Sequence, residues 1–96
     1  MTPSDEFVRM LDEKIDAGEI TVLQKNEVLI ERAHYDAHRA EINKNYPHEV
    51  VAFSKGQMFV GATVDEVVSK ANRVHPDKMI YFEDPGLHFR GPGRLA

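Results

Sequence analysis

The chain has 96 residues, 42% hydrophobic and 29% charged, with no cysteine and a formal net charge of −4. Those values bound one small globular domain and exclude disulfide scaffolds, thiol catalysis and cysteine-bound zinc. Ten Asp/Glu against six Lys/Arg fall in residues 1–46 and six against six in residues 47–96, so the basic footprint of nucleic-acid binding is missing. No apolar run approaches the roughly 20 residues of a membrane span. Thr2-Pro3-Ser4-Asp5-Glu6 is not the basic-then-apolar start of a signal peptide, and the lack of cysteine fits a cytoplasmic location.

The first helix is expected from Pro3 to Ala17. Thr2 suits the N-cap, Pro3 the first helical position, and Asp5 and Glu6 complement the helix dipole. Phe7, Met10, Leu11 and Ile15 recur at helical spacing, and Gly18 reads as a left-handed stop. A second helix is expected from Thr21, whose Thr21-Val22-Leu23-Gln24 fits a capping box, through to Asn45, with Pro47 enforcing the end. The short connection predicts an antiparallel helical hairpin. This second helix carries two apolar stripes. Val22, Leu29, Ile30, Ala33, Ala37 and Ala40 form the main one. Val28, Tyr35, Ile42 and Tyr46 form another on nearly the opposite side. A helix that packs only on its hairpin partner needs one stripe. The second must therefore meet the chain's own sheet or another subunit, and Val28, Tyr35 and Ile42 are the residues expected to mediate self-association.

Val50, Val51, Ala52 and Phe53 predict a strand buried on both sides. Ser54-Lys55-Gly56-Gln57 is a hairpin turn and Met58, Phe59 and Val60 the return strand. Thr63-Val64-Asp65-Glu66 is a second capping box, opening a helix lined by Val64, Val67, Val68, Ala71 and Val74. Met79 to Phe82 form the third strand, and from Asp84 the pattern stops at Pro85-Gly86 and Gly91-Pro92-Gly93. The expected fold class is therefore α+β in a single domain, 1–96. Residues 1–46 form an N-terminal antiparallel helical hairpin and 47–85 a ββαβ unit, a three-stranded sheet with one crossover helix. An extended C-terminal tail spans 86–96.

Residues 46–85 carry a Tyr46-Pro47 start, a V-V-A-F strand, a K-G turn, a T-V-D-E-V helix and His75-Pro76-Asp77-Lys78 before the final strand. In these features the chain resembles a family of short bacterial and archaeal proteins described as a domain of unknown function (DUF5678). The preceding Ala37-His38-Arg39 and the closing G-P-G-R-L-A also resemble longer members. The resemblance implies a fold, and no activity, cofactor or catalytic residue.

Three constellations bear on chemistry. Glu27, Glu31, His34, His38 and Glu41 lie four, three, four and three residues apart, on one side of the second helix. Glu31-Arg32-Ala33-His34 has the Glu-x-x-His spacing of di-metal carboxylate bundles, so Glu31, His34 and His38 are candidate metal ligands, against a plain solvated face. His75-Pro76-Asp77 matches the tripeptide of J-domain co-chaperones, but Met79-Ile80-Tyr81-Phe82 reads as a strand rather than a second helix, so a helix-to-strand turn is the simpler reading. The tail alternates apolar and basic residues, and Leu87, Phe89, Arg90, Arg94 and Leu95 are candidate partner-binding residues. Packing on the chain's own body and disorder are the alternatives. Serines lack a nucleophile-elbow context and glycines form no phosphate loop. The expectation is a non-catalytic accessory protein with no cofactor and no evident small-molecule substrate. It would form a homodimer or attach to a larger protein. A metal-binding protein is the runner-up, and an antitoxin-like regulator a weaker third.

Overall fold

The computed structural model describes residues 6–86 and 89–93. Its elements in chain order are α1 (Glu6–Asp16), α2 (Val22–Ala37), α3 (Arg39–Asn45), β1 (Val50–Ser54), β2 (Gln57–Gly61), α4 (Val64–Val74), β3 (Ile80–Asp84) and β4 (Phe89–Gly93). The class is α+β. The strands form one sheet in the order β2-β1-β3-β4, each neighbouring pair antiparallel. Since β1 runs against both β2 and β3, those two are parallel, and α4 carries the chain between them past β1.

β1 is the centre of the molecule. All five of its residues are buried, as an uninterrupted apolar run requires when both faces of a sheet are covered. Period-two alternation divides them. Val50 and Ala52 join Ile80, Phe82 and Phe59 against Val67, Val68 and Ala71 of α4. Val51 and Phe53 join Tyr81 and Met79 against Phe7 and Leu11 of α1, Val28 and Tyr35 of α2 and Ile42 of α3. The result is three layers: N-terminal helices, sheet, α4.

Local chemistry sets the joints. α1 ends in a left-handed Gly18, with Gly18 N–H donating to the Ile15 carbonyl at 3.0 Å and Glu19 N–H to that of Lys14 at 2.8 Å. This is the Schellman pattern. The Thr21 capping box is complete: Gln24 N–H donates to Thr21 Oγ1 at 3.1 Å and Thr21 N–H to Gln24 Oε1 at 2.9 Å. At α4 the expected box is displaced by one residue. Thr63 Oγ1 accepts from Glu66 N–H, but the Glu66 carboxylate reaches back to Ala62 N–H. Gly61 makes that approach possible, because a Cβ there would collide with the Glu66 carboxylate and lie 2.9 Å from Val67 Cγ1.

Three expectations are corrected. The second helix is not continuous to Asn45, because it breaks at His38, whose φ of −107° and ψ of 8° leave the helical region. His38 N–H donates to the Tyr35 carbonyl at 3.0 Å, while its ring Nδ1 takes up the His34 carbonyl at 2.8 Å. A carbonyl only accepts, so Nδ1 carries the hydrogen. The sheet has four strands rather than three. Residues 89–93 of the expected tail pair with β3, from Asp84 opposite Phe89 to Ile80 opposite Gly93. Pro92 fits that place, since proline is tolerated on an edge strand where its missing N–H is not needed. Finally, Val28, Tyr35 and Ile42 are not a free self-association surface. All three are buried against the chain's own sheet. The expected helix start at Thr2 and Pro3 lies outside the described residues.

Candidate functional site

α2 turns two different faces to its surroundings. Its inner face is fixed to the sheet by packing and by two carboxylates. Glu31, only 4% exposed, accepts from Gly56 N–H at 2.8 Å. Gly56 lies in the β1–β2 turn, where Lys55 and Gly56 both have positive φ, 50° and 75°. That is the arrangement a two-residue primed hairpin turn needs. Glu27 accepts from the backbone N–H of Met79, and Ser54 Oγ donates to the Met79 carbonyl at 3.2 Å. Both backbone groups of the residue just before β3 are thus satisfied by side chains. His34 stacks on Phe53 with centroids 6.4 Å apart, and His38 lies 5.4 Å from the same ring.

The Glu/His ladder is therefore turned to the sheet at its Glu27, Glu31, His34 and His38 rungs. Glu31, His34 and His38 are occupied by a turn amide, an aromatic ring and a helix carbonyl respectively. Among the described residues no group of three or more His, Asp or Glu side chains gathers where a metal ion would sit.

A second polar cluster ties the α2–α3 break to β3. The Arg39 guanidinium forms two bonds with Glu83, at 3.0 and 2.7 Å, and reaches Asp36 Oδ1 at 2.6 Å. Tyr81 Oη donates to Glu83 at 2.7 Å, and Arg39 lies 4.9 Å from the Tyr35 ring centroid. The bond to Glu83, above all, keeps Arg39 charged well beyond its ordinary range. Burial first, and then the Glu83 charge, push the Tyr35 hydroxyl up to about 12. Both shifts move these groups away from neutrality, so neither is suited to acid–base work there.

The remaining sequence motifs are structural. His75-Pro76-Asp77 makes the turn from α4 into β3, with Asp77 at a φ of 65° and His75 Nε2 2.9 Å from Gln57 Oε1. The chain then enters β3, where a J-domain would continue in a helix. A shallow groove at the start of α4 is bordered by His48, Thr63, Asp65 and Asp84. The Thr63 hydroxyl is spent on the helix cap and Asp84 Oδ1 accepts from Gly86 N–H at 3.0 Å. Of the tail residues, Leu87, Arg94 and Leu95 lie outside the described residues, and Phe89 and Arg90 are placed by their backbone in β4.

The outer face of α2 is left. Val22 is 60% exposed, Leu23 79% and Ile30 58%, and Asn26, Ala33 and Ala37 on the same side are exposed too. Leu23, Asn26, Ile30, Ala33 and Ala37 are spaced three, four, three and four residues apart, the spacing of a helix–helix seam. Sequence reasoning identified most of this stripe but assigned it to packing within the hairpin. It missed Leu23 and the inverted roles of the two faces. α1 does not cover this stripe because it lies on the sheet beside α2, with Phe7 edge-on to Tyr81 at 5.2 Å and Asp12 paired to Lys25 at 2.6 Å. No described helix is long and apolar enough to cross a membrane. Compared with family models, curated proteins and solved structures, the chain gives no match in any of the three.

Proposed function

We propose that this chain is a non-catalytic interaction protein that works by docking the outer face of α2 against another protein surface. One observation carries the reading. Val22, Leu23 and Ile30 hold most of their side-chain surface in solvent on one side of one helix, while the core residues of that helix are buried on the other. Single exposed apolar residues need no explanation, but three on one stripe, continued by two alanines, make a contiguous patch of the kind that marks an interaction site. The described polar groups support the same reading, because those with assigned partners cap helices, hold turns and join layers rather than converge on a reactive centre. A photo-reactive phenylalanine analogue at position 30, in full-length protein inside cells, tests it. Crosslinks of defined mass at position 30, absent with the analogue at Glu49, are expected. Equal, diffuse labelling at both positions would sink the proposal.

A further inference from the structure

We infer that the chain guards both edges of its sheet against strand addition: Pro92 guards β4, and Lys70, together with Glu66, guards β2. An open edge is a template for another chain, either as an added partner strand or as an aggregate. The order β2-β1-β3-β4 leaves two edges, and the register decides which backbone groups each one turns outward.

Lys55 and Gly56 form a two-residue turn, so Ser54 and Gln57, which close it, are a hydrogen-bonded pair. Bonded and non-bonded pairs alternate along an antiparallel ladder. Ala52–Phe59 and Val50–Gly61 are therefore bonded too, and Met58 and Val60 point their N–H and C=O groups away from β1. Side chains of α4 reach round to this edge. Lys70 Nζ donates to the Val60 carbonyl at 2.9 Å, and the Glu66 carboxylate accepts the N–H of Ala62, just past the strand. An incoming antiparallel strand needs both groups of Val60, and a parallel one needs the Val60 carbonyl with the Ala62 N–H. Lys70 places a charged, hydrated group in either path. Glu66 and Lys70 lie one helical turn apart with their charged atoms at 3.8 Å, so each steadies the other. Even with both outward groups of Met58 available, a strand arriving at β2 gains a single antiparallel rung.

The same alternation fixes the other edge. β1 turns Val51 and Phe53 toward β3, which leaves Ile80, Phe82 and Asp84 to bond Gly93, Gly91 and Phe89 of β4. The backbone groups of Arg90 and Pro92 thus face outward. Pro92 has no N–H to offer there, so only Arg90 can supply a complete outward pair. At position 91 or 93 a proline would cost β4 a bond to β3. At 92 it costs the fold nothing and spoils the edge.

Substitutions at the two guards test this without touching the outer face of α2. Lys70→Met keeps the stem of the side chain and removes its donor. Pro92→Val restores an N–H and a strand-forming residue. Each full-length variant, incubated well below its melting temperature, is expected to gain an intermolecular β-sheet infrared band and thioflavin fluorescence that the wild type lacks. Lys44→Met removes the same charge from an exposed site on α3, away from both edges, and should behave as wild type. Adding Met58→Pro to Lys70→Met deletes the outward N–H of residue 58 and should suppress the assembly, which locates it on β2. Docking through helix surface adds no intermolecular sheet, so it leaves these readouts at baseline. A wild-type chain that itself assembles into sheet would overturn both guards. A Lys70→Met chain no different from Lys44→Met, or one whose assembly Met58→Pro leaves unchanged, would overturn the guard on β2. A Pro92→Val chain that behaves as wild type would overturn the guard on β4.

Discussion

Replacing Glu31 by alanine distinguishes a carboxylate that docks a helix from one that awaits a metal. Glu31 is buried and its Oε1 receives the Gly56 N–H at 2.8 Å. A hydrogen bond to a charged group contributes about 1.5–3 kcal/mol, and each buried methylene of the side-chain stem about 0.8 kcal/mol. The hydrogen-bond figure is a net one that already includes the desolvation of the carboxylate. The net expectation for Glu31→Ala is a loss of about 2 kcal/mol. In a domain of this size that lowers the melting temperature by roughly 8–16 °C. Glu31→Gln keeps an acceptor for the turn amide and loses only the charge, so about half that effect is expected. Circular dichroism during urea and thermal unfolding reads both variants, each with and without added zinc, manganese or iron(II). A Glu31→Ala variant within about 0.5 kcal/mol of wild type would refute the docking role. So would a metal-induced rise in melting temperature that Glu31→Ala abolishes, which would return the Glu/His ladder to metal chemistry.

Gly56→Ala should cost about 1–2 kcal/mol, because φ is +75° and the new methyl meets the His34 ring at 3.4 Å; denaturant midpoints check it. Arg39→Ala should destabilise by about 1–2 kcal/mol, a modest figure because the Arg39 side chain is 42% exposed, and a double-mutant cycle with Glu83→Gln should show coupling between the two. The Tyr35 hydroxyl has its folded pKa raised from 10.0 to about 12. The neutral form is therefore the one the fold favours, and its contribution is fully present below pH 10 and is lost as pH rises toward 12. Tyrosinate absorbance should show a late-titrating group that Tyr35→Phe removes, and that variant's stability should fall less steeply between pH 10 and 12.

Much of the fold was legible in local signals. The Thr21 box, Gly18, the V-V-A-F run and the Lys55-Gly56 turn each act through near neighbours in the chain, and each lies where its chemistry requires. What sequence patterns could not resolve was which apolar stripe of α2 faces inward. Both stripes have helical periodicity, and periodicity is silent about the partner. Tyr35 and Ile42 win the inner position because their bulk fills the space over Phe53 and Tyr81, where rings meet at 5.8 and 5.6 Å. The alanines of the other stripe could not fill that space. The break at His38 depends on a side chain competing with its own backbone for the His34 carbonyl, a contest that composition does not announce. Packing of the tail on the chain's own body is one of three alternatives that its sequence leaves open, with no strand predicted, because Gly91, Pro92 and Gly93 carry low strand propensity and β4 exists through pairing with β3. The ladder from Glu27 to His38 is visible in the spacing, but its role is set by backbone amides brought from 25 and 52 residues away.

The most direct test of the central claim compares Val28→Ala with Ile30→Ala by urea unfolding at a concentration where the chain is monomeric. The two residues lie two positions apart on α2 and differ in face. Val28 is fully buried and Ile30 is 58% exposed. Val28→Ala is expected to lose about 2–3 kcal/mol through lost burial and the cavity left behind. Ile30→Ala is expected to lose no more than about 0.5 kcal/mol, since alanine's helix propensity offsets what little burial is lost. The reverse order, with Ile30→Ala the more damaging, would place the outer stripe in the core and contradict the assignment of that face to docking.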